Sequence, residues 1–500
     1  MKQQSLSRRT TQGAAMFVGS TLALKVLNTG GQLLLAALLA PEVFGLYSTA
    51  LAVSEIASVI KRIGIREVLV RRRRAVARWA SAAVWLSLLL GVLGGLSILL
   101  LGPLMIRPDL REELRFAVYL LALVAPLQAL GVIPVALLQR QMRFGPIVCL
   151  QLAMAGVQTI GSVGLALGGF GVMALVLPRV AAELTHFIGG WFLARPTVRL
   201  RLDRPLWWHY FRSGTLLFPA AMATTLTMFG DYYILSFFVP PELVGAYFIA
   251  FMLSTQIGQL LIDNLSKVLL PSLSALQHDV RRQAGALLRS TRLLAVFTVP
   301  AYLMQAVVAD PVLRLLYGDR WVDSIPILQL LSLAGIFAVL GSPSTSLLLA
   351  AGRYRMHLAI AAVRTALLLG LVALGAWQMG AVGAAIGVLL TRVIINPVSF
   401  VIAGRPGGVQ WFDAVRVVRT PLIVAAIGCG VAIGGASLVP PEVAGHTRAG
   451  EALRVIISAT LLGVVYAGGM WWFARPISQE VVGRLRDALP KGQGMNNERL

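Results

Sequence analysis

The chain has 500 residues, of which 57% are hydrophobic and only 13% are charged, and it carries a formal net charge of +23. Because roughly 25% of the residues of a soluble globular domain are charged, this composition excludes an ordinary soluble protein and predicts an integral membrane protein. The basic excess does not indicate a nucleic-acid partner, since the arginines stand at the ends of apolar segments rather than on a soluble basic face.

Apolar segments follow one another along the whole chain. Each approaches or exceeds the ~20 residues needed to cross the hydrocarbon core of a bilayer. Fourteen are predicted, at 14–39, 43–65, 79–101, 115–138, 146–168, 171–194, 213–238, 243–270, 292–309, 325–351, 356–378, 381–403, 418–439 and 453–474.

Basic residues are divided unevenly between the two sides of these segments. With the N-terminus placed in the cytoplasm, the cytoplasmic connections and tails hold 30 of the 44 Lys and Arg residues, and the opposite connections hold 7. Short cytoplasmic loops are enriched in Lys and Arg. The charge pattern therefore predicts that both termini are cytoplasmic.

One short motif occurs twice, two hundred positions apart. Pro41–Tyr47 (PEVFGLY) and Pro241–Tyr247 (PELVGAY) share the pattern P-E-x-x-G-x-Y, and each joins a first to a second apolar segment. We call these stretches the hinge motifs. Recurrence of this kind indicates internally repeated structure. Because six segments separate the copies, both face the same side, and the two halves are predicted to be related by an axis along the membrane normal.

The predicted fold is therefore all-α: a polytopic membrane protein with about 14 transmembrane helices, arranged as two parallel-related six-helix lobes plus two C-terminal helices. The predicted domains are an N-terminal lobe (1–194), a cytoplasmic linker (195–212), a C-terminal lobe (213–404), helices 13 and 14 (405–475) and a cytoplasmic tail (476–500). The linker combines basic residues with Trp207, Trp208 and Tyr210, which is typical of an interfacial strip.

Ionisable residues near segment centres indicate function, because each costs about 2.5–3.5 kcal/mol to insert. Lys25 lies near the middle of segment 1, and Thr21, Asn28 and Gln32 fall on the same helical face. We predict that this face lines a water-filled cavity; the alternative is a structural Lys25 bonded to a kinked neighbour. Glu55 on segment 2 is its predicted resting partner.

Further deep charges are spread over both halves. Asp231 shares a polar face of segment 7 with two threonines and is predicted to bind the coupling ion or to pair with a base, with Glu55 as the second candidate. Arg179 and Glu183, at i and i+4, favour an ion pair within one helix. The other candidates for the cavity are Lys61, Arg62, Asp263, Lys267, Arg364 and Arg392.

These charges predict a cationic cavity. The deep set holds four basic residues (Lys25, Arg179, Arg364, Arg392) against three acids (Glu55, Glu183, Asp231), before the cytoplasmic-side Lys61, Arg62 and Lys267 are added. Such a cavity suits an anionic substrate taken from the cytoplasmic face. No phosphate-binding loop, HExxH or GxSxG motif occurs in the sequence, so movement of a substrate is predicted rather than catalysis, with no cofactor and no metal.

Four stretches resemble the bacterial polysaccharide transporter family. They are Leu39–Tyr47 (LAPEVFGLY), Gly64–Arg71 (GIREVLVR), Leu138–Phe144 (LQRQMRF) and Asp231–Leu235 (DYYIL). The family comprises the Wzx-type oligosaccharide-lipid flippases of the multidrug/oligosaccharidyl-lipid/polysaccharide exporter superfamily. The resemblance covers segments 1 to 12 and does not identify the sugar.

The resemblance implies a V-shaped pair of six-helix lobes that moves undecaprenyl-pyrophosphate-linked oligosaccharide across the bacterial inner membrane, for O-antigen, capsule or exopolysaccharide synthesis. It implies alternating access driven by a proton or sodium gradient, contact with membrane lipids, and a polysaccharide polymerase and chain-length proteins as candidate partners. Related lipid II flippases place basic residues on segments 1, 2 and 8. The corresponding residues here are Lys25, Lys61 or Arg62, and Lys267.

Two alternatives stay open at this point. A cation-coupled multidrug exporter of the same superfamily would more naturally carry an acid-rich cavity for cationic drugs. A membrane-embedded enzyme of polysaccharide biosynthesis would need a sizeable loop with acidic residues, and no polar connection in this sequence is long enough to form one.

Overall fold

A computed structural model describes residues 24–61, 63–71, 75–198, 203–214, 217–276, 279–437 and 448–473. Within these ranges the chain is helical, with short turns and no strand. The helices are α1 (Leu24–Leu38), α2 (Pro41–Ala57), α3 (Ile65–Arg71), α4 (Val76–Met105), α5 (Arg111–Arg140), α6 (Phe144–Leu167), α7 (Met173–Ala194), α8 (Arg204–Gly214), α9 (Leu217–Phe238), α10 (Pro241–Ala275), α11 (Val280–Val307), α12 (Ala309–Tyr317), α13 (Ser324–Ala350), α14 (Tyr354–Gly404), α15 (Trp411–Ser437) and α16 (Arg448–Phe473).

The helices account for the fourteen predicted segments. Nine helices of the described residues are long and apolar enough to span a membrane, and α2 forms a bent tenth span with the residues up to Val70. The 22-residue helices α7 and α9 match segments 6 and 7 but are more polar, and the described part of segment 1 is the shorter α1. Segments 11 and 12 are the two arms of α14.

Two of these segments are interrupted. The predicted segment 43–65 is not one continuous helix, because α2 ends at Ala57 and a single 3-10 turn, Val59–Lys61, follows it. In α14 the helix breaks at Met379 and Gly380. Gly380 has a φ of 61°, a left-handed conformation that glycine adopts at little cost. The break lies at the predicted connection between segments 11 and 12.

The chain forms two compact units that do not coincide with the predicted lobes. The first lies within Met1–Ala250 and Leu358–Val388, and the second lies within Phe251–His357 and Leu389–Leu500. The lobe limits 1–194 and 213–404 therefore stay a prediction.

In the first unit, α8 docks on the start of α4. The Trp207 indole donates a hydrogen bond to the Ala82 carbonyl at 3.1 Å, and the fully buried Tyr210 hydroxyl donates to the Trp79 carbonyl at 3.1 Å. Trp208, on the other side of α8, is 71% exposed. The aromatic residues of the linker are thus divided between a packed face and an open face, as an interfacial helix requires.

In the second unit, α11 is the central helix and packs against α13, α15 and α16. Polar side chains join it to its neighbours: Gln305 donates to the Leu253 carbonyl at 2.9 Å and accepts from Ser332 at 3.0 Å. The Tyr466 hydroxyl donates to the Val296 carbonyl at 2.7 Å. These polar groups of the second unit are therefore hydrogen-bonded across helices, as a membrane interior favours.

The orientation in the membrane is tested by cysteine labelling. In a background lacking Cys149 and Cys429, single cysteines at the exposed positions Glu42, Glu242 and Met379 should react with an impermeant maleimide added to intact cells. A cysteine at the exposed Arg355 should react only after the membrane is permeabilised. Labelling of the Arg355 position in intact cells would contradict the predicted topology.

Candidate functional site

Four charged side chains and one amide form a group inside the first compact unit, between α2, α5 and α7. We call it the buried charge network; it consists of Glu55, Lys61, Gln128, Arg179 and Glu183. Glu55 is the centre: its carboxylate lies 3.6 Å from Lys61 Nζ and 3.4 Å from an Arg179 terminal nitrogen. The side chains of Glu55 and Lys61 are each 7% exposed.

The interruption after α2 makes the Glu55–Lys61 contact possible. In a continuous helix, residues six apart lie on different faces, since only i+3 and i+4 neighbours meet. The turn Val59–Lys61 brings the lysine back, and its Nζ also donates to Ser58 Oγ at 2.8 Å. Ser58 in turn donates to the Ser54 carbonyl at 2.6 Å. The pairing therefore depends on a break that apolar periodicity does not reveal.

The second half of the network joins α5 to α7. Gln128 Nε2 donates to Glu183 Oε1 at 2.7 Å, and Glu183 is buried. The sequence predicted an ion pair between Arg179 and Glu183 within one helix. It did not predict the contact of Arg179 with Glu55 or that of Glu183 with Gln128, each of which joins two helices. Arg179 Nε is buried without a hydrogen-bond acceptor among the described residues, so its guanidinium keeps one donor for a further anionic group.

Asp231 lies beside the second hinge motif. It is 1% exposed, its Oδ2 accepts from the Tyr247 hydroxyl at 3.0 Å, and its Oδ1 accepts from the Tyr232 backbone N–H at 2.9 Å. The threonines predicted to share its polar face bond elsewhere, because Thr224 and Thr227 donate to carbonyls of α9 itself. The hydroxyl of Tyr247, the last residue of the second hinge motif, thus holds the Asp231 carboxylate in position.

The polar face of segment 1 is present on α1. Lys25 and Gln32 are half-buried and Asn28 is exposed. Arg364 and Arg392 are both half-buried on α14, the first in the first unit and the second in the second unit. Asp263 and Lys267 lie on α10, but their side chains, like Arg62 and Thr21, lie outside the described residues. The described part of the chain holds no group of His, Cys, Asp and Glu suited to a metal ion.

The two hinge motifs pack directly against each other in the first unit. Gly45 lies against the Pro241 carbonyl so closely that a Cβ atom would overlap it, and Gly245 lies against the Pro41 carbonyl in the same way. Phe44 stacks on Phe248 with ring centroids 6.0 Å apart. The sequence identified the motifs as repeats but did not predict that they meet; the glycine at the same position of each copy was the available signal.

Arg107 reinforces this junction from the connection between α4 and α5. Its guanidinium donates to the carbonyls of Ser236 and Val239 at the end of α9, at 3.4 and 3.3 Å, where a cation is favoured by the helix dipole. It also forms two hydrogen bonds with Asp109, which lower the pKa of that exposed carboxyl group. This role of Arg107 was not predicted from the sequence.

A family model described as polysaccharide biosynthesis protein matches residues 34–326. The chain belongs to this family. The match confirms the resemblance found in the hinge motifs and neighbouring stretches. Both hinge motifs and the whole buried charge network of this polysaccharide biosynthesis protein fall inside the matched range, whereas Lys25, Arg364 and Arg392 fall outside it.

Relatives and solved structures are similar along most of the chain. The succinoglycan biosynthesis transport protein ExoT of Rhizobium meliloti (strain 1021) is 24% identical over 400 residues, covering 79% of this chain and 80% of ExoT. The lipopolysaccharide biosynthesis protein WzxC of Escherichia coli (strain K12) is 22% identical, covering 80% and 82%. The lipid II flippase MurJ, in an inward closed conformation, has a TM-score of 0.73 at 12% identity, covering 91% of this chain and 99% of MurJ. The polysaccharide biosynthesis protein therefore has the predicted all-α, multi-pass membrane fold.

Replacing Glu55 by glutamine should destabilise this polysaccharide biosynthesis protein. The change leaves Lys61 and Arg179 buried without their carboxylate, and breaking a buried ion pair in this way typically costs about 3–5 kcal/mol. We expect a lower melting temperature of the detergent-purified protein. The matched control is Glu67→Gln, at an exposed position, with an expected effect within about 0.5 kcal/mol. Equal melting temperatures for the two variants would show that the network does not stabilise the fold.

Proposed function

We propose that the protein is a flippase that moves undecaprenyl-pyrophosphate-linked oligosaccharide across the bacterial inner membrane, with both termini in the cytoplasm. The observation that carries the proposal is the fold of a lipid flippase, shared over 91% of the chain by a member of a polysaccharide biosynthesis family. The names of two relatives, a succinoglycan transport protein and a lipopolysaccharide biosynthesis protein, support it.

The charge distribution supports an anionic cargo. Within the buried charge network the two basic residues are matched by two acids, so the network itself has no excess charge. We therefore assign the attraction for pyrophosphate mainly to Lys25, Arg364 and Arg392, with Arg62 and Lys267 as further candidates. Asn28 and Gln32, on the same face as Lys25, supply neutral hydrogen-bonding groups for the cargo.

Lys61 takes a different part in this proposal. Because Lys61 is paired with Glu55 and almost fully buried, it reaches an anionic group only if that pair separates. Substrate phosphate then competes with Glu55 for the ammonium group, which couples substrate binding to a change in the turn after α2. We propose this competition as the step that links cargo binding to alternating access.

The coupling ion is assigned to Asp231. A carboxylate that accepts two hydrogen bonds at a buried position carries a charge that a proton or a sodium ion neutralises. Asp231→Asn should leave the protein folded and remove the dependence of export on the ion gradient. Tyr247→Phe, which removes the hydroxyl but keeps the carboxylate, is the matched variant and should retain gradient-driven export.

Gradient dependence is measured as the rate of export before and after collapse of the proton or the sodium gradient. If Asp231→Asn keeps full transport that still responds to the gradient, coupling lies elsewhere, with Glu55 as the next candidate.

The proposed function is tested in cells that lack this gene. Lipid-linked oligosaccharide should accumulate on the cytoplasmic face of their inner membrane, and the wild-type gene should restore export. Sensitivity to cationic drugs should not change, which separates a flippase from a multidrug exporter. Normal export in the deletion strain, with no other flippase gene present, would contradict the proposal.

A further inference from the structure

An open cavity of about 260 Å³ lies where the end of α4 meets the start of α5, on the predicted non-cytoplasmic side. Three of its lining residues are apolar and three are polar: Pro103, Ile106 and Val118, and Glu112, Arg115 and Tyr119. Pockets for drug-sized ligands usually measure about 300–1,000 Å³. The size therefore suits a small polar headgroup rather than an oligosaccharide.

The acid and the base in this cavity do not neutralise each other. Glu112 and Arg115 are three residues apart on α5, a spacing at which opposite charges commonly pair, yet they form none of the ion pairs found between described residues. Arg115 Nε instead donates to the Tyr119 hydroxyl at 3.3 Å, and its guanidinium lies 5.6 Å from the centre of that ring. The cavity thus presents a carboxylate and a cation side by side.

An exposed apolar surface continues from the cavity into the span. Glu112, Phe116, Tyr119 and Leu123 share one face of α5, at i, i+4, i+7 and i+11. Phe116 is 59% exposed and Leu123 is 57% exposed. On α4, Leu100 and Leu104, which are close in sequence to the cavity residue Pro103, are 71% and 72% exposed. Polar groups at one end and open apolar side chains at the other match the two parts of a phospholipid.

We propose that this corner binds phosphatidylethanolamine. Its phosphate accepts hydrogen bonds from Arg115 and Tyr119, its ammonium group donates to Glu112, and its acyl chains lie along the apolar surface of α4 and α5. A zwitterion with a primary amine satisfies both charges. Phosphatidylcholine has no N–H group to donate to Glu112, and phosphatidylglycerol brings no cation to the carboxylate. The inference does not depend on what the protein transports.

Native mass spectrometry of the full-length, detergent-purified protein tests the site. The protein is equilibrated with equal amounts of phosphatidylethanolamine, phosphatidylcholine and phosphatidylglycerol that carry the same acyl chains. Because an exposed ion pair changes affinity only a few-fold, wild type should retain phosphatidylethanolamine about threefold more than either other lipid.

Two variants separate the roles of the two charges. Glu112→Gln should reduce retention of phosphatidylethanolamine to the level of phosphatidylcholine, and Arg115→Gln should reduce retention of all three lipids. Glu67→Gln and Arg320→Gln, at exposed positions outside the cavity, are the matched controls and should behave as wild type. Equal retention of the three lipids by wild type, a preference for phosphatidylglycerol, or a Glu112→Gln variant that behaves like Glu67→Gln would overturn the proposal.

Discussion

Replacing Gly45 by alanine is expected to lower the melting temperature of the purified protein. The new Cβ atom would overlap the Pro241 carbonyl oxygen, which is a backbone atom and cannot rotate away. Overpacking typically costs about 1–3 kcal/mol, and this contact belongs at the upper end of that range because α2 and α10 would have to move apart. Gly245→Ala should have the same effect, because Gly245 makes the reciprocal contact with Pro41.

Gly164→Ala is the matched control. Gly164 lies inside α6 in the same compact unit, and a Cβ atom there would meet nothing within 4 Å. Because alanine is favoured over glycine in a helix by about 0.5–1 kcal/mol, this variant should melt at the same or a higher temperature. If Gly45→Ala melts like Gly164→Ala, the two hinge motifs are not in contact in the protein.

Replacing Lys25 by alanine is expected to abolish export while leaving the protein folded and inserted. Removing the charge relieves the cost of placing an ammonium group within a span, so the variant should still insert. Under the proposed function, however, the cargo pyrophosphate loses a cation on α1. The expected result is accumulation of lipid-linked oligosaccharide on the cytoplasmic face, in cells that express the variant at the wild-type level.

Lys25→Arg keeps the charge but replaces a compact ammonium group with a larger, planar guanidinium group. This variant should retain part of the export activity. Glu67→Gln, at an exposed position of α3 that has no part in the proposed site, is the control and should export normally. Normal export by Lys25→Ala would mean that the polar face of α1 is structural, and the cationic attraction would then rest on Arg364 and Arg392.

The spans and the repeat were predictable because they depend on local properties. Apolar length and loop charge located the fourteen segments, and even the break of α14 at Gly380 lies where a connection was placed. One boundary was wrong because a turn interrupts an apolar stretch of the sequence. The turn Val59–Lys61 contains two apolar residues and follows an apolar helix, so hydropathy did not separate it from α2.

Partners across helices were not predictable, because they depend on packing between segments distant in the chain. The contacts of the Glu55 carboxylate with Lys61 and Arg179 were not predicted, and its pairing with Lys25 stays a prediction. Arg107 was counted only as a loop charge, and it binds carbonyls at the end of α9. Deep ionisable residues can thus be recognised from the sequence as important, whereas the residues they contact must come from the structure.

The central claim is that this chain by itself moves a lipid-linked oligosaccharide across a bilayer. The most direct measurement places the purified protein in liposomes that contain undecaprenyl-pyrophosphate-linked oligosaccharide, and follows the exposure of that sugar to an impermeant glycosidase. The account predicts that the wild-type protein accelerates exposure over protein-free liposomes, that Lys25→Ala does not, and that Glu67→Gln behaves as wild type. Equal rates in protein-free and wild-type liposomes, with an ion gradient imposed in either direction, would contradict it.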